Sequence, residues 1–188
     1  MPCYSYSLPA AKCNVGSRLR TVVGSVCHGC YAHKGNYTRF PEVQKSLHRR
    51  LKAIKKKFWV EAMSFLIKKE DFFRFHDSGD IMSEKHLNDI MDICENCPDT
   101  KFWIPTREYE VVENVLKTRK RPPNLALRLS AHMMDESGPT LLAKKLGVQI
   151  SEVAAKGYTC PASTTNNQCA SCRKCWDTDI FNISYKKH

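Results

Sequence analysis

Three short apolar runs separated by helix-patterned segments constrain this chain more than any other feature. Phe72-Phe73-Arg74-Phe75-His76, Lys101-Phe102-Trp103-Ile104-Pro105-Thr106-Arg107 and Leu125-Ala126-Leu127-Arg128-Leu129-Ser130-Ala131 each have the length and the aromatic or aliphatic content of a strand. After the first, Ser83 suits an N-cap and Glu84 a first turn. A helix is therefore expected to about Asn96, with Leu87, Ile90, Met91, Ile93 and Cys94 inward and Pro98 ending it. A second helix is expected from Tyr109 to about Lys120, stopped by Pro122-Pro123, and a third from Pro139 to Leu146. Strand, helix and strand in alternation make an α/β fold, a parallel sheet with covering helices. Upstream, Pro41 to Lys69 fits two consecutive helices or one bent helix, and Phe181 to His188 reads as an edge strand. Residues 1–40 show no sustained period and read as a loop-dominated lead-in, with Leu19 to Val23 a short strand.

Ligands of parallel sheets bind outside the carboxyl ends of the strands, where loops converge. Asp77, Ser78, Gly79, Asp80, Thr106, Arg107, Ser130 and His132 stand at expected carboxyl ends and would ring one mouth. Asp77, Asp80, Arg107 and Arg128 are the candidate catalytic residues, with Ser78, Gly79 and Thr106 contacting a ligand. Helix capping and loop hydrogen bonding are the other use for Asp77 and Asp80. Arg74 and Arg128 fall inside strands, where a buried guanidinium needs a carboxylate, a phosphate or a cluster sulfur.

Ten cysteines in 188 residues are more than packing requires. Cys160-Pro161 is followed by Cys169, Cys172 and Cys175 in C-x2-C-x2-C spacing, which lets a turning loop aim successive thiolates at one small cluster. Zinc more often takes two separated C-x2-C pairs. In the lead-in, Val26-Cys27-His28-Gly29-Cys30-Tyr31-Ala32 carries two cysteines on a tight turn, and Cys13 can complete a set of three. A cubic cluster held by three thiolates keeps one iron open to another ligand, as a catalytic zinc keeps an open position. Cys3 would close it. Cys94 lies on the stripe of Leu87 and Ile90 and reads as core, with Cys97 at the helix end. The start, Met1-Pro2-Cys3-Tyr4-Ser5, lacks the basic-then-apolar pattern of a secretory signal, so a reduced cytoplasm is expected and metal is favoured over disulfides.

No apolar run approaches the roughly 20 residues of a membrane span. The net charge of +11 admits a nucleic-acid partner. Part of it is the run from His48 to Lys57, which reads as the solvated face of a helix whose inner face is Val43, Leu47, Leu51, Ile54 and Phe58.

Leu8-Pro9, Cys13, Cys27 to Ala32, Arg74 to Asp80, Phe102 to Arg107, Arg128 to Ser130 and Cys160 to Cys175 together resemble a phage-encoded gene-product family of mycobacteriophages and other phages, over nearly the whole chain. That resemblance implies a viral protein acting in the infected host cell. A looser resemblance is to radical S-adenosylmethionine enzymes, with a cysteine cluster and adjacent aromatic before a partial barrel, and Ser78-Gly79-Asp80 where those enzymes carry a Gly-Gly-Glu-like loop. It implies S-adenosylmethionine as a ligand. The departures are the thirteen residues between Cys13 and Cys27 and a strand count below that of a six-strand barrel.

The expected molecule is one domain, 1–188, with a cysteine-containing lead-in (1–40), an α/β core (41–150) resembling a small partial (β/α) barrel, and a cysteine-rich C-terminal segment (151–188) that returns to the mouth. It would hold one or two 4Fe-4S clusters on Cys13, Cys27 and Cys30 and on Cys160, Cys169, Cys172 and Cys175. Its chemistry would be redox or radical, with a small-molecule ligand or an electron donor as partner. The other reading is a zinc-stabilised nucleic-acid-binding protein.

Overall fold

The computed structural model describes residues 2–187. Six strands form one all-parallel sheet and lie in it in chain order: β1 (Tyr4–Tyr6), β2 (Phe72–Phe75), β3 (Lys101–Thr106), β4 (Leu125–Ser130), β5 (Gln149–Ala154) and β6 (Asn182–Lys186). The described α-helices are α1 (Asn14–Leu19), α2 (Asn36–Arg39), α3 (Pro41–Ala53), α4 (Trp59–Ile67), α5 (Glu84–Asn96), α6 (Tyr109–Thr118) and α7 (Thr140–Leu146). Six strands correct the lower count expected from sequence. β1 is too short to carry a period, and β5, with Gln149, Ser151 and Glu152, is too polar to stand out.

The helical starts and stops follow local chemistry. The Ser83 hydroxyl accepts from His86 N at 3.2 Å and caps α5. Pro41 opens α3 with its φ already helical, and Gly147, at φ +65°, closes α7. Two expectations fail. Leu19 to Val23 is the end of α1 and a turn, with Val23 79% exposed, so nothing pairs it into a sheet. Phe58 does not join the inner face of α3, because the helix ends at Ala53 and the ring is 63% exposed.

Strand alternation assigns the two faces. Phe73, Phe75, Phe102, Ile104, Leu127 and Leu129 point to the helices and pack with Trp59, Met63, Leu87, Ile90 and Val112. Cys94 belongs to this core, and Cys97, at the end of α5, donates to Ser64 O at 3.4 Å. On the other face the register brings Ser5 beside Arg74, Arg74 beside Trp103, and Ser130 beside Ser151. Trp103 of β3 stacks on Tyr185 of β6 with centroids 6.4 Å apart, although two strands separate them in the sheet, so this face is concave. Among the described residues β1 and β6 do not pair, and the curl stops short of a closed barrel.

Between β5 and β6 the chain must return from a carboxyl end to an amino end, as every parallel connection does. In the other crossings helices make the return. Here residues 155–181 make it across the concave face. Trp176 Nε1 donates to Phe73 O at 2.9 Å, and its ring meets Phe72 at 5.5 Å and Trp103 at 5.3 Å. A cleft of about 720 Å³ lies there, lined by Phe72, Lys101 and Asn124 at strand starts and by Arg173, Lys174 and Trp176. The end of the cysteine-rich segment is therefore at the amino ends of the strands. It does not return to the mouth, because the parallel β6 requires entry from the opposite side.

Candidate metal centre

The lead-in after β1 lies over the carboxyl ends of four strands. Leu8 N donates to Ser78 O at 2.7 Å, and the Ser78 hydroxyl donates to Leu8 O at 2.8 Å. Gly79, at φ +88°, lets these backbones touch: a Cβ there would stand 2.6 Å from Leu8 Cβ and 2.9 Å from Leu8 O. Further along, Val15 N donates to Glu108 Oε1 at 2.9 Å, Val26 N to His132 O at 2.9 Å, and Ser25 bridges to Met133. These contacts bring Cys13, Cys27 and Cys30 to the mouth.

The three thiols share that space with Asp80, Arg107 and Glu108. Burial pushes the Cys13 thiol up, and Asp80, Cys27 and Cys30 add to the effect. Burial also raises Cys27, with Arg107 pulling it back. Gly16 packs against Cys13 and Cys27. A Cβ on it would lie 3.0 Å from Cys13 Cβ and 3.6 Å from the sulfurs of both Cys13 and Cys27. Among the described residues no three histidine, cysteine, aspartate or glutamate side chains converge at the spacing of a single-ion site. A zinc ion, with Zn–S bonds of about 2.3 Å, draws its sulfurs to within ~4 Å of one another. A four-iron cluster is larger and holds its thiolates farther apart. Sulfur donors are the kind that such a cluster takes.

The family model for Gene product 88 matches residues 1–178, a span that includes both cysteine sets. The chain belongs to the Gene product 88 family. This membership agrees with the resemblance to a phage gene-product family, whereas nothing matched concerns radical S-adenosylmethionine enzymes. No curated protein and no solved structure matches the chain. No described helix of this Gene product 88 member is long and apolar enough to cross a membrane.

The polar strand ends divide into two kinds. Asp80 is 5% exposed and has both carboxylate oxygens engaged: Oδ1 accepts from the Thr106 hydroxyl at 2.6 Å and Ile81 N at 2.8 Å, Oδ2 from Arg107 N at 3.0 Å. Burial raises its carboxyl, and those donors pull it back. Thr106 is fully buried, and its hydroxyl also accepts from Glu108 N at 3.1 Å. Asp77 accepts from the Tyr37 hydroxyl, stands 3.3 Å from Arg74 Nη1, and offers its carbonyl to the Tyr31 hydroxyl. Asp77, Ser78, Gly79, Asp80 and Thr106 thus splice β1, β2, β3 and the lead-in together. Arg107 differs. Its Nε donates to Ala131 O at 3.1 Å, and its guanidinium acts on the Cys27 thiol. Beside it the rings of Tyr109 and His132 stack 4.4 Å apart.

Arg128 lies elsewhere, inside β4 on the concave face and fully buried. It donates to the carbonyls of Lys174, Cys175, Asp177 and Ile180 at 3.1, 3.1, 2.7 and 2.9 Å, and to Ile150 at 3.4 Å. Its partners are therefore backbone carbonyls, an option beyond the carboxylate, phosphate or sulfur expected from sequence. Cys175 is next to it, with its sulfur 3.2 Å from the Tyr185 hydroxyl. Burial holds its thiol up at about 11, and Cys160 and Cys169 contribute. Cys172, between Cys169 and Cys175, is half-buried on the same loop. Arg74 stacks over Trp103 at 4.3 Å, between this set and the mouth.

Sequence reasoning missed Glu108, Tyr109 and Tyr37. Glu108 and Tyr109 directly follow Thr106-Arg107 and could have been included by extending that polar strand end two residues. Tyr37 had no local signal, since its partner Asp77 is 40 residues away, and Tyr31, the aromatic after Cys30, gave no hint that it would reach the Asp77 carbonyl.

Proposed function

We propose that the chain is an iron–sulfur protein whose working centre is the mouth. Cys13, Cys27 and Cys30 would hold a 4Fe-4S cluster there with one iron open to a small ligand, and Cys160, Cys169, Cys172 and Cys175 would hold a second. The observation that carries this reading is that the lead-in places Cys13, Cys27 and Cys30 together over the carboxyl ends of a parallel sheet, where these thiols influence one another. When bound, such a cluster supplies an electron and an iron site for a ligand. The chain's own residues do the rest. Arg107 offsets the negative charge that ligation leaves on the thiolates. Glu108, through Val15 N, holds the loop on the sheet. Tyr109 and His132 form an aromatic wall beside Arg107 that a ligand with a planar ring could face.

S-adenosylmethionine is the ligand that the looser resemblance implies. One feature is compatible with it: six parallel strands in chain order. Radical chemistry on a small substrate at the mouth is the finer form of this proposal. The test is protein purified without oxygen. Brown protein with acid-labile sulfide is expected, as is a change in the electron paramagnetic resonance spectrum of the reduced protein on adding S-adenosylmethionine. Colourless, zinc-loaded protein rejects the cluster reading, and an unchanged spectrum rejects the ligand.

A second reading, nucleic-acid binding, draws on one surface. Arg49, Lys52 and Lys55 to Lys57 are exposed, and Phe58 and Phe65 beside them are 63% and 69% exposed. Cations interleaved with open rings suit single strands. Binding of an oligonucleotide that weakens steeply with salt would support it.

A further inference from the structure

α4 carries more apolar surface than the core takes up. Trp59, Met63 and Ile67, at steps of four, are buried in the helix-side core. Phe58, directly before the helix, and Phe65 and Leu66 within it are exposed. With Ala62 they follow helical spacing and form a second stripe, which faces solvent and lines a depression of about 440 Å³ together with Glu61. Single exposed apolar residues are ordinary surface, whereas a contiguous patch of them marks a docking face.

The rim of this patch is cationic. Lys55, Lys56 and Lys57 fill the turn before Phe58, Lys68 and Lys69 follow Ile67 at the other end, and all five are exposed. Lys68 Nζ stands over the Phe65 ring, 4.9 Å from its centroid. Of the described residues that line the depression, only Glu61 is polar. Over residues 55–69 five lysines therefore stand against one carboxylate.

An occupant of this face has to offer apolar material at its centre and negative charge around it. An anionic bilayer offers both, acyl chains beneath a plane of phosphates. A second copy of the chain brings the same lysines and a net charge of +11, and is repelled. A single strand of nucleic acid satisfies the lysines, but Lys68 covers one face of Phe65, and Ala62 and Leu66 give a base no ring to stack on. A protein partner would be oriented by hydrogen bonds, and the lining offers only the Glu61 carboxylate, whereas a fluid bilayer needs no such register. Lys68 also has the arrangement of a lysine at a lipid interface, its stem beside an aromatic ring and its charge in water.

We infer that the α4 face is a peripheral membrane-binding surface: Phe58, Phe65 and Leu66 enter the boundary between headgroups and acyl chains of an anionic bilayer, and Lys55 to Lys57, Lys68 and Lys69 lie against its phosphates. The chain lies on the bilayer, since no described helix is long and apolar enough to cross it. None of these residues belongs to either cysteine set, so the inference stands apart from the iron–sulfur reading.

The test is co-sedimentation of the full chain with vesicles of phosphatidylglycerol and phosphatidylcholine in equal parts, and with vesicles of phosphatidylcholine alone. Binding to the first at low salt is expected, at least about tenfold tighter than to the second. A lysine near an anionic surface contributes a factor of ~5, so replacing Lys55, Lys56 and Lys57 together by glutamine should weaken binding by ~100-fold and flatten its salt dependence. Phe65→Ser, at an exposed position that the core does not use, should weaken it by at least ~10-fold. Glu61→Gln should strengthen it, and the emission of Phe65→Trp should shift to the blue when the anionic vesicles are added. Protein that stays in solution with the anionic vesicles at low salt, or binding indifferent to Phe65→Ser, overturns the inference. So does a dimer that Phe65→Ser separates, or an oligonucleotide that binds through Phe65 while vesicles do not; these would give the face to a second copy or to nucleic acid.

Discussion

Replacing Arg128 with leucine removes a buried cation whose five hydrogen bonds hold the β5-to-β6 crossing on the concave face. Four of those bonds are 3.1 Å or shorter. Hydrogen bonds from a charged donor contribute ~1.5–3 kcal/mol each. Against that stands the desolvation of the guanidinium, several kcal/mol, and the carbonyls at the rim of the segment can be rewetted. A net loss of ~3–5 kcal/mol is expected, because several carbonyls lose their donor at once and each one left buried and unsatisfied costs ~1–3 kcal/mol. The loss should be local, because the helix-side core does not use Arg128. In native-state hydrogen exchange, residues 174–181 should exchange ~100- to 1000-fold faster in Arg128→Leu, while α5 and β3 keep their protection. Arg128→Lys keeps the charge without the planar fork and should recover only a minor part. Exchange in 174–181 within about threefold of the parent, or an equal loss spread through every strand, would refute this account of the crossing.

Gly79→Ala should cost ~2–5 kcal/mol, since it adds a left-handed strain of ~1–2 kcal/mol to a backbone clash with Leu8 that cannot be relieved by rotating a side chain; urea denaturation measures it, and a loss below ~0.5 kcal/mol would remove the splice from the account. Acid should destabilise the fold through His86 and His76, both kept neutral by burial, with Lys85 acting further on His86 and His86 and Arg74 on His76. Since Met82 N donates to His86 Nδ1, the folded ring already uses the nitrogen that a second proton would need. The unfolded chain protonates at 6.5 and folded His86 only at about 4, so stability is full above that window and falls by ~3 kcal/mol as pH drops through it. Unfolding midpoints of His86→Gln should show a shallower slope between those values, and an unchanged slope would sink the assignment.

The middle of the fold was legible because its strands are apolar on both faces and its helices carry clean stripes, as in Phe102-Trp103-Ile104 and Leu87, Ile90 and Met91. The edges were not. β1 is held by pairing with β2 and by Tyr6 packing on Trp59, contacts made with residues more than fifty positions away. The polar strand ends were located correctly in sequence, yet their partners decide what they do. Asp80 and Thr106 find each other across 26 residues, and nothing local distinguishes a carboxylate that splices loops from one that faces a ligand. The direction from which the C-terminal cysteines approach was not legible either, because it follows from the parallel entry of β6.

The crossing between β5 and β6 has a consequence for the order of assembly. The residues that fill the concave interior are synthesised after every strand they touch except β6. The helix-covered side can therefore be complete while Arg74, Trp103 and Arg128 still face water. Filling the interior and adding β6 are then one late event, in which a wet, half-built cup receives its lining. The cysteines of this crossing stay open to solvent until that event closes it.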